Sequence, residues 1–398
     1  MISRTLIPGE HWEVADHLHD GLKVLIVGGY GTFGGHIVEL LENEKRLTLI
    51  VSGRSVQRAQ AFCGARRGAT AMLVPARFDR EGDARGQIAA LRPEIVVDAS
   101  GPFQGYGEGR YGIIEACIGL GINYIDLADG SEFVAGVRGF DARARAAGCY
   151  VLSGASSCPV LTAAVVRRLA MGMARVDVIR GGIAPSPFAS VGENVVRAIA
   201  SYAGQRVGMI RDGRAAVGYP FTEQMRSDIA PPGVAPLRNR MFSLVDVPDL
   251  RVLAELWPEV RNVWIGAAPV PELLHWTLIG MAWLVRAGVV RSLLPLAGMM
   301  HFATCHLRWG EHRGGMFVEI EGADEAGAPV RRSWHMIAER GDGPFIPSMA
   351  VAALVRNVLE GHTPAAGARA AVRDVELHDY ERLFAARAIA TGVVANQA

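Results

Sequence analysis

The chain has 398 residues, more than one hydrophobic core ordinarily serves, so at least two domains are expected. Half of the residues are hydrophobic and a fifth are charged, a balance that excludes a disordered chain. With 41 basic residues against 40 acidic ones there is no cationic excess, and nucleic acid is not expected as a partner.

Residues 1–22 read as a polar arm. Glu10, Glu13 and Asp16, with no apolar run among them, argue against a secretory signal. Five cysteines (Cys63, Cys117, Cys149, Cys158, Cys305) form no C-x-x-C pair and are odd in number, which points to a reducing, cytoplasmic setting. Lys23 and Lys45 are the only lysines, a skew that reads most simply as genome composition. Lys23 opens the first predicted strand and Lys45 follows the first helix. Neither is placed for a Tyr-x-x-x-Lys couple, a Schiff base or a lysine proton donor.

From residue 23 to 172 short apolar runs alternate with helix-length segments. The runs are Lys23–Val27, Leu47–Ser52, Ala71–Val74, Ile95–Ala99, Tyr124–Leu127 and Tyr150–Leu152, each bounded by Gly, Pro, Ser or Asp. Such runs suit strands buried on both faces. Glu108–Gly121 and Phe133–Ala147 carry helical spacing between them, and Pro159–Met171 leads out. The alternation predicts an α/β architecture, a Rossmann-type doubly wound parallel sheet.

The rhythm then changes. Val176–Ile183, Arg206–Val217, Val263–Ala268, Met316–Glu321 and Val330–Ala338 read as strands of a second, mixed α+β domain spanning residues 173–344, for substrate or dimerisation. Residues 345–398 are expected to form a C-terminal helix, Ile346–Glu360, and a tail packing back on the body. Leu273–His306 is unusually apolar, but Arg286, Arg291 and Pro295 interrupt it short of the ~20 residues a spanning helix needs. It reads as core helices, with a dimer interface, a membrane-surface contact or an apolar substrate pocket as the alternatives.

Val24–Gly34 contains G-x-G-x-x-G at Gly29, Gly31 and Gly34, after an apolar strand and before the helical Gly35–Leu41. That context makes the pattern a dinucleotide fingerprint. Gly29 is expected to make the tight turn, Gly31 to let backbone approach a pyrophosphate, and Gly34 to allow close helix–strand packing, with Tyr30, Thr32 and Phe33 completing the loop. The pyrophosphate would rest on the helix N-terminus. Where an NAD enzyme places a carboxylate on the ribose, this chain has Ser52-Gly53-Arg54-Ser55. Arg54 can pair with a 2′-phosphate and lie on the adenine, and Ser52 and Ser55 can donate to it, so the expected cofactor is NADP(H). After the fourth strand, Ser100-Gly101-Pro102 makes a turn at the switch region and is assigned to cofactor contact.

These residues resemble the saccharopine dehydrogenase-like oxidoreductases. The resemblance rests on Gly29–Gly34, Ser52–Arg54, Ser100–Phe103, Tyr111–Asp126 and Gly154–Pro159, with further likeness at Arg180–Pro187 and Gly341–Pro347. It implies a Rossmann domain, an inserted α/β domain, a cleft between them and usually a homodimer. Two departures bear on substrate. Asp129-Gly130 stands where many relatives carry Gly-Glu, and the apolar stretch with Trp276, Met281, Trp283 and Leu294 suits an apolar small molecule better than a zwitterion.

A reductase also needs a proton donor. Tyr106, Asp129, Cys158, Glu193 and Asn194 are the candidates, although capping, turn or packing roles compete for each. At a helix start the Cys158 thiol would have a lowered pKa; a buried inert cysteine is the competing reading. His301, Cys305 and His306 have no carboxylate at a suitable spacing, so no metal is expected. The resulting expectation is an NADP(H)-dependent oxidoreductase acting at C=O or C=N. An enoyl reductase on lipid or polyketide-type substrates and a non-catalytic, lipid-surface-associated NADP binder are the alternatives.

Overall fold

Val24–Val27 is a run of four side chains with almost no solvent exposure, and it sits in the interior of a parallel sheet. The structure is a computed structural model that describes residues 21–105, 107–189 and 192–397. Most of the expected N-terminal arm therefore lies outside the described residues.

The six expected strands form as β1 (Leu22–Val27), β2 (Leu47–Gly53), β3 (Met72–Arg77), β4 (Ile95–Asp98), β5 (Asn123–Asp126) and β6 (Tyr150–Ser153). Helices α1 (Thr32–Leu41), α2 (Val56–Gly64), α3 (Ala84–Leu91) and α4 (Gly112–Leu120) alternate with them. The segment expected as one helix over 133–147 is two, α5 (Ser131–Gly136) and α6 (Asp141–Ala146), joined by a 3-10 turn at Val137–Phe140. Gly136 precedes that turn and Gly139 lies within it, both poor helix formers.

The chain divides into two compact units. The first comprises the described residues through Ala128, with Gly136–Ser156 and Pro347–Asp374. The second comprises Asp129–Ala135, Ser157–Ile346 and Val375 onward.

In the second unit, α7 (Thr162–Leu169) leads into β7 (Met173–Ala184), then α8 (Glu193–Tyr202). The run expected as one strand over 206–217 is a hairpin, β8 (Val207–Arg211) and β9 (Arg214–Gly218). Asp212 and Gly213 turn it, both at positive φ (51° and 74°), as the tightest hairpin loops require. There follow β10 (Gln224–Ile229), β11 (Leu237–Leu244), α9 (Asp249–Leu256), β12 (Asn262–Ala267), α10 (Glu272–Arg286), α11 (Ala297–His306), β13 (Gly314–Asp324) and β14 (Pro329–Ala338).

Chain that is distant in sequence completes both sheets. Helix α12 (Ile346–Leu359) and strand β15 (Gly367–Ala370) join the first unit, while α13 (Leu377–Phe384) and β16 (Ile389–Gln397) join the second. The first sheet runs β15-β6-β5-β4-β1-β2-β3, with every pairing parallel. Its order reverses at β1, so the carboxyl ends of β1 and β4 flank the switch point where such sheets bind ligands. The second sheet runs β10-β11-β12-β7-β13-β14-β16 and is mixed, with only β12–β7 parallel. Phe242 and Phe317 meet edge to face at 5.1 Å in its core.

Helix α12 braces α1. The Ser348 hydroxyl donates to the Phe33 carbonyl at 3.0 Å, and the Arg356 guanidinium donates to the Leu40 carbonyl at 2.9 Å. These bonds fix the helix whose first turn closes the glycine-rich loop.

Candidate functional site

Between β1 and α1 the backbone folds tightly. The N–H groups of Gly28 and Gly29 donate to the Ser52 carbonyl at 2.9 Å, and Gly31 donates to the Gly28 carbonyl at 2.9 Å. The left-handed residue is Gly28 (φ 79°), one position earlier than the tight turn expected at Gly29. Gly29 is needed for proximity instead, since a Cβ there would lie 3.0 Å from both the Ile26 carbonyl and Val51 Cγ1. A Cβ on Gly34 would overlap the Gly28 carbonyl oxygen and sit 2.8 Å from Gly29 Cα. Helix α1 thus begins directly against the loop. Gly31 is its N-cap and no side chain caps it, so the first N–H groups of the helix point from an exposed mouth at Gly31 and Thr32. An uncapped positive helix end of this shape fits a diphosphate.

At the end of β2 the Tyr30 ring covers Gly53, where a Cβ would come within 2.6 Å of Tyr30 Cζ. The Tyr30 hydroxyl accepts from the Ser55 N–H at 3.0 Å. Ser55 caps α2, its Oγ accepting from the Arg58 N–H at 3.3 Å. Ser52 is fully buried and donates its hydroxyl to the Ile26 carbonyl at 2.9 Å, so it secures β2 to β1 and is not directed at a phosphate. Arg54 is exposed, and two further arginines join it that the sequence pattern did not single out. Arg58 stands over the Tyr30 ring at 5.0 Å, and Arg77 is paired in register with Gly53 on β3. Both are exposed. Three arginines therefore leave the chain close to the end of β2, where a ribose-binding carboxylate would otherwise stand.

The loop after β4 is anchored by an ion pair that was also not anticipated. Arg80 pairs with fully buried Asp98, donates to Ser100 Oγ at 3.3 Å and to the Arg110 carbonyl at 2.9 Å. Asp98 Oδ1 in turn accepts from the Ser100 N–H at 3.1 Å and the Ser100 hydroxyl at 2.5 Å. Ser100, Gly101 and Pro102 remain half-buried at the carboxyl end of β4, and the Gly101–Pro102 peptide is cis. Removing one partner of a buried pair strands the other charge, which costs about 3–5 kcal/mol. Arg80→Ala should therefore lower unfolding stability by about that amount in a denaturant titration, a loss far outside the range of ordinary surface substitutions.

The proton-donor candidates fall in different places. Tyr106 lies outside the described residues. Glu193 is an exposed first-turn residue of α8, 3.9 Å from Arg197 one turn on, an ordinary surface pair. Cys158 is buried beside Thr162, with Sγ 3.7 Å from the Thr162 hydroxyl. Burial and the nearby Asp249 carboxyl push its thiol well above the usual range, opposite to the lowering expected at a helix start. It is not a proton donor of useful acidity.

Asp129 has different company. It follows β5 by three residues and shares its surroundings with Asp246 and Tyr202, both of which feel its charge. Burial raises the Asp246 carboxyl to about 6, although a hydrogen bond to Ser131 opposes the shift. Burial and the two carboxylates also hold the Tyr202 phenol well above its ordinary value. Neither Asp246 nor Tyr202 belongs to a recognisable motif, and only the fold brings them to Asp129. Among the described residues, no three His, Cys, Asp or Glu side chains come together as a metal site.

A model of the saccharopine dehydrogenase NADP-binding domain matches residues 24–152. Among solved structures, apo saccharopine dehydrogenase (L-Glu forming) from Saccharomyces cerevisiae is similar at a TM-score of 0.64 and 13% identity, covering 95% of this chain and 100% of that one. At that identity the likeness shows the fold. A probable dehydrogenase from Thermotoga maritima (TM-score 0.43, 10% identity, 94% and 98% covered) is more distant. So is the WlbA (WbpB) dehydrogenase from Thermus thermophilus in complex with NAD and alpha-ketoglutarate (TM-score 0.38, 11% identity, 86% and 90% covered). No curated protein matches the chain by sequence.

Proposed function

We propose that this chain belongs with the saccharopine dehydrogenase-like oxidoreductases and is an NADP(H)-dependent enzyme that transfers hydride at a C=O or C=N carbon of a small molecule. One observation carries the cofactor reading: the uncapped start of α1 adjoins a β2 end that bears Arg54, Arg58 and Arg77 and no carboxylate on Ser52–Ser55. In this reading the N–H groups at Gly31–Gly34 hold the diphosphate, and the three arginines hold the 2′-phosphate. Tyr30 and Arg58 offer flat faces beside the adenine, and the Arg80-anchored Ser100–Pro102 loop borders the nicotinamide end.

Bound NADPH supplies a hydride, and the protein must supply the matching proton. Among the sequence candidates, Asp129 keeps acidic company within the second unit, beside Asp246 and Tyr202. Burial raises the Asp246 carboxyl from 3.8 to about 6, so folding stability should fall as pH rises through that interval, and Asp246→Asn should flatten that part of a stability-versus-pH profile measured by denaturant titration.

The apolar-substrate expectation fares differently. Trp276, Trp283 and Leu294 have exposed side chains, while Met281 packs on an internal cluster with Leu278, Ala282 and Val285. The apolar stretch thus gives no support for an apolar substrate. A steady-state screen of carbonyl and imine substrates with NADPH tests the reading, and no turnover across either class would count against it.

A further inference from the structure

Where α7 packs against α9 and α13, the second unit buries four polar side chains together. Cys158 lies just before α7, Thr162 and Asp249 open α7 and α9, and Tyr380 stands in the middle of α13. Thr162, Asp249 and Tyr380 have no solvent exposure at all. The Asp249 carboxyl faces the Thr162 hydroxyl and the Cys158 thiol, and Cys158 in turn stands near the Tyr380 phenol.

Among the described residues, neither Asp249 oxygen nor the Tyr380 hydroxyl closes a hydrogen bond. The protons within reach of Asp249 are directed elsewhere. Thr162 donates its hydroxyl to the Ser157 carbonyl at 3.4 Å. With that proton engaged, the Cys158 thiol is the donor of its 3.7 Å contact with Thr162 Oγ1. The neighbouring cation, Arg167, is taken up by Glu376 and the Val375 carbonyl at the start of α13. Burial therefore pushes the Asp249 carboxyl up to about 7.

Buried polar atoms are almost always partnered, and three orphans in one cluster call for a shared partner. We infer that the second unit holds an ordered water molecule between α7, α9 and α13, donating to the Asp249 carboxyl and accepting from the Tyr380 hydroxyl. Its chemistry suits the set, because a water gives two hydrogen bonds and accepts two, and buried waters make about three. A divalent cation does not suit it. Calcium asks for roughly six to eight oxygen ligands, several of them carboxylates, and Asp249 is the one carboxylate of this cluster. The water is a joint of the fold. Chain from Val375 onward returns to the second unit after α12 and β15, and its helix α13 is held there by the Arg167 clamp and by this site.

The inference stands apart from the redox chemistry and is tested without it. A high-resolution crystal structure of the full chain should show solvent density at about 2.7–3.2 Å from both the Asp249 carboxyl and Tyr380 Oη. Tyr380→Phe supplies a second readout whose sign is decisive. The ring still packs on Phe384 at 5.9 Å, and only the hydroxyl is lost. If a water holds that hydroxyl, the unfolding equilibrium constant from denaturant titration should rise about 2- to 12-fold, the equivalent of one net hydrogen bond. If nothing holds it, deleting an unpartnered buried hydroxyl leaves the constant unchanged or lowers it, and the inference falls. Absence of density between the two side chains overturns it as well. So does an anomalous signal there after a rubidium chloride soak, which assigns the site to a cation.

Discussion

Gly34→Ala is expected to abolish measurable NADPH binding, a loss of at least about 100-fold, while Gly35→Ala one residue on changes it little. Alanine is the best helix former, so propensity alone would make both changes neutral or favourable. The difference is steric. A methyl group on Gly34 overlaps the Gly28 carbonyl oxygen and reaches 2.8 Å from Gly29 Cα, so either the turn or the helix must move. On Gly35 it meets only the Phe62 ring, at 3.4 Å, a distance a side chain absorbs by a small shift. Because the Gly28 carbonyl also accepts from Gly31, a displaced turn loses that bond and misaims the amides meant for phosphate. A displacement near an ångström suffices for an effect of that order. Titration of the two variants with NADPH, alongside far-UV circular dichroism to follow folding, separates the two outcomes. Equal affinity would show that the turn carries no ligand.

Reversing the charge at position 54 should produce the second large effect. Arg54→Glu is expected to weaken NADPH about 100-fold and to leave NADH within about threefold. A hydrogen bond to a charged group contributes about 1.5–3 kcal/mol, equivalent to roughly 10–150-fold in affinity, and a carboxylate adds repulsion. Arg54 is exposed, so the fold should tolerate the change. Arg58 and Arg77 would still offer charge, which limits the loss and predicts a further drop when either is also replaced. Equal weakening of both cofactors would move Arg54 from the 2′-phosphate to the shared part of the dinucleotide.

The parallel sheet was legible because its strands are short apolar runs punctuated by turn formers; five of β1–β6 appear within a residue of the expected bounds, and β3 runs on three residues further, to Arg77. The phosphate turn was legible for a related reason, since glycines required by contact leave a spacing that survives in one dimension. What contact in three dimensions assembles left no such trace. Arg80 reaches Asp98 across 18 residues, and Asp246 meets the Asp129 region across more than a hundred. Strand β15, Gly-Ala-Arg-Ala, has no β-branched residue and is made a strand by pairing with β6. Strands β10 and β11 were missed for their polar composition, as in Gln-Met-Arg-Ser-Asp-Ile.

The apolar stretch shows a different limit. Hydrophobic residues occupy both faces of α10, and such a helix reads as buried all round. Which face meets protein is set by α8 and its neighbours, and those contacts are invisible in the stretch itself. Similarly, Ser52 has the right position for a phosphate contact, but its hydroxyl is spent on the Ile26 carbonyl. Sequence position located the neighbourhood; burial decided the role.

Coenzyme preference is the most direct measure of the whole account. Isothermal titration of the unmodified protein with NADPH and NADH, under one buffer and salt condition, should give the phosphorylated form an advantage of about tenfold or more. Equal or tighter binding of NADH would contradict it, because the arginines around Gly53 would then have no phosphate to hold.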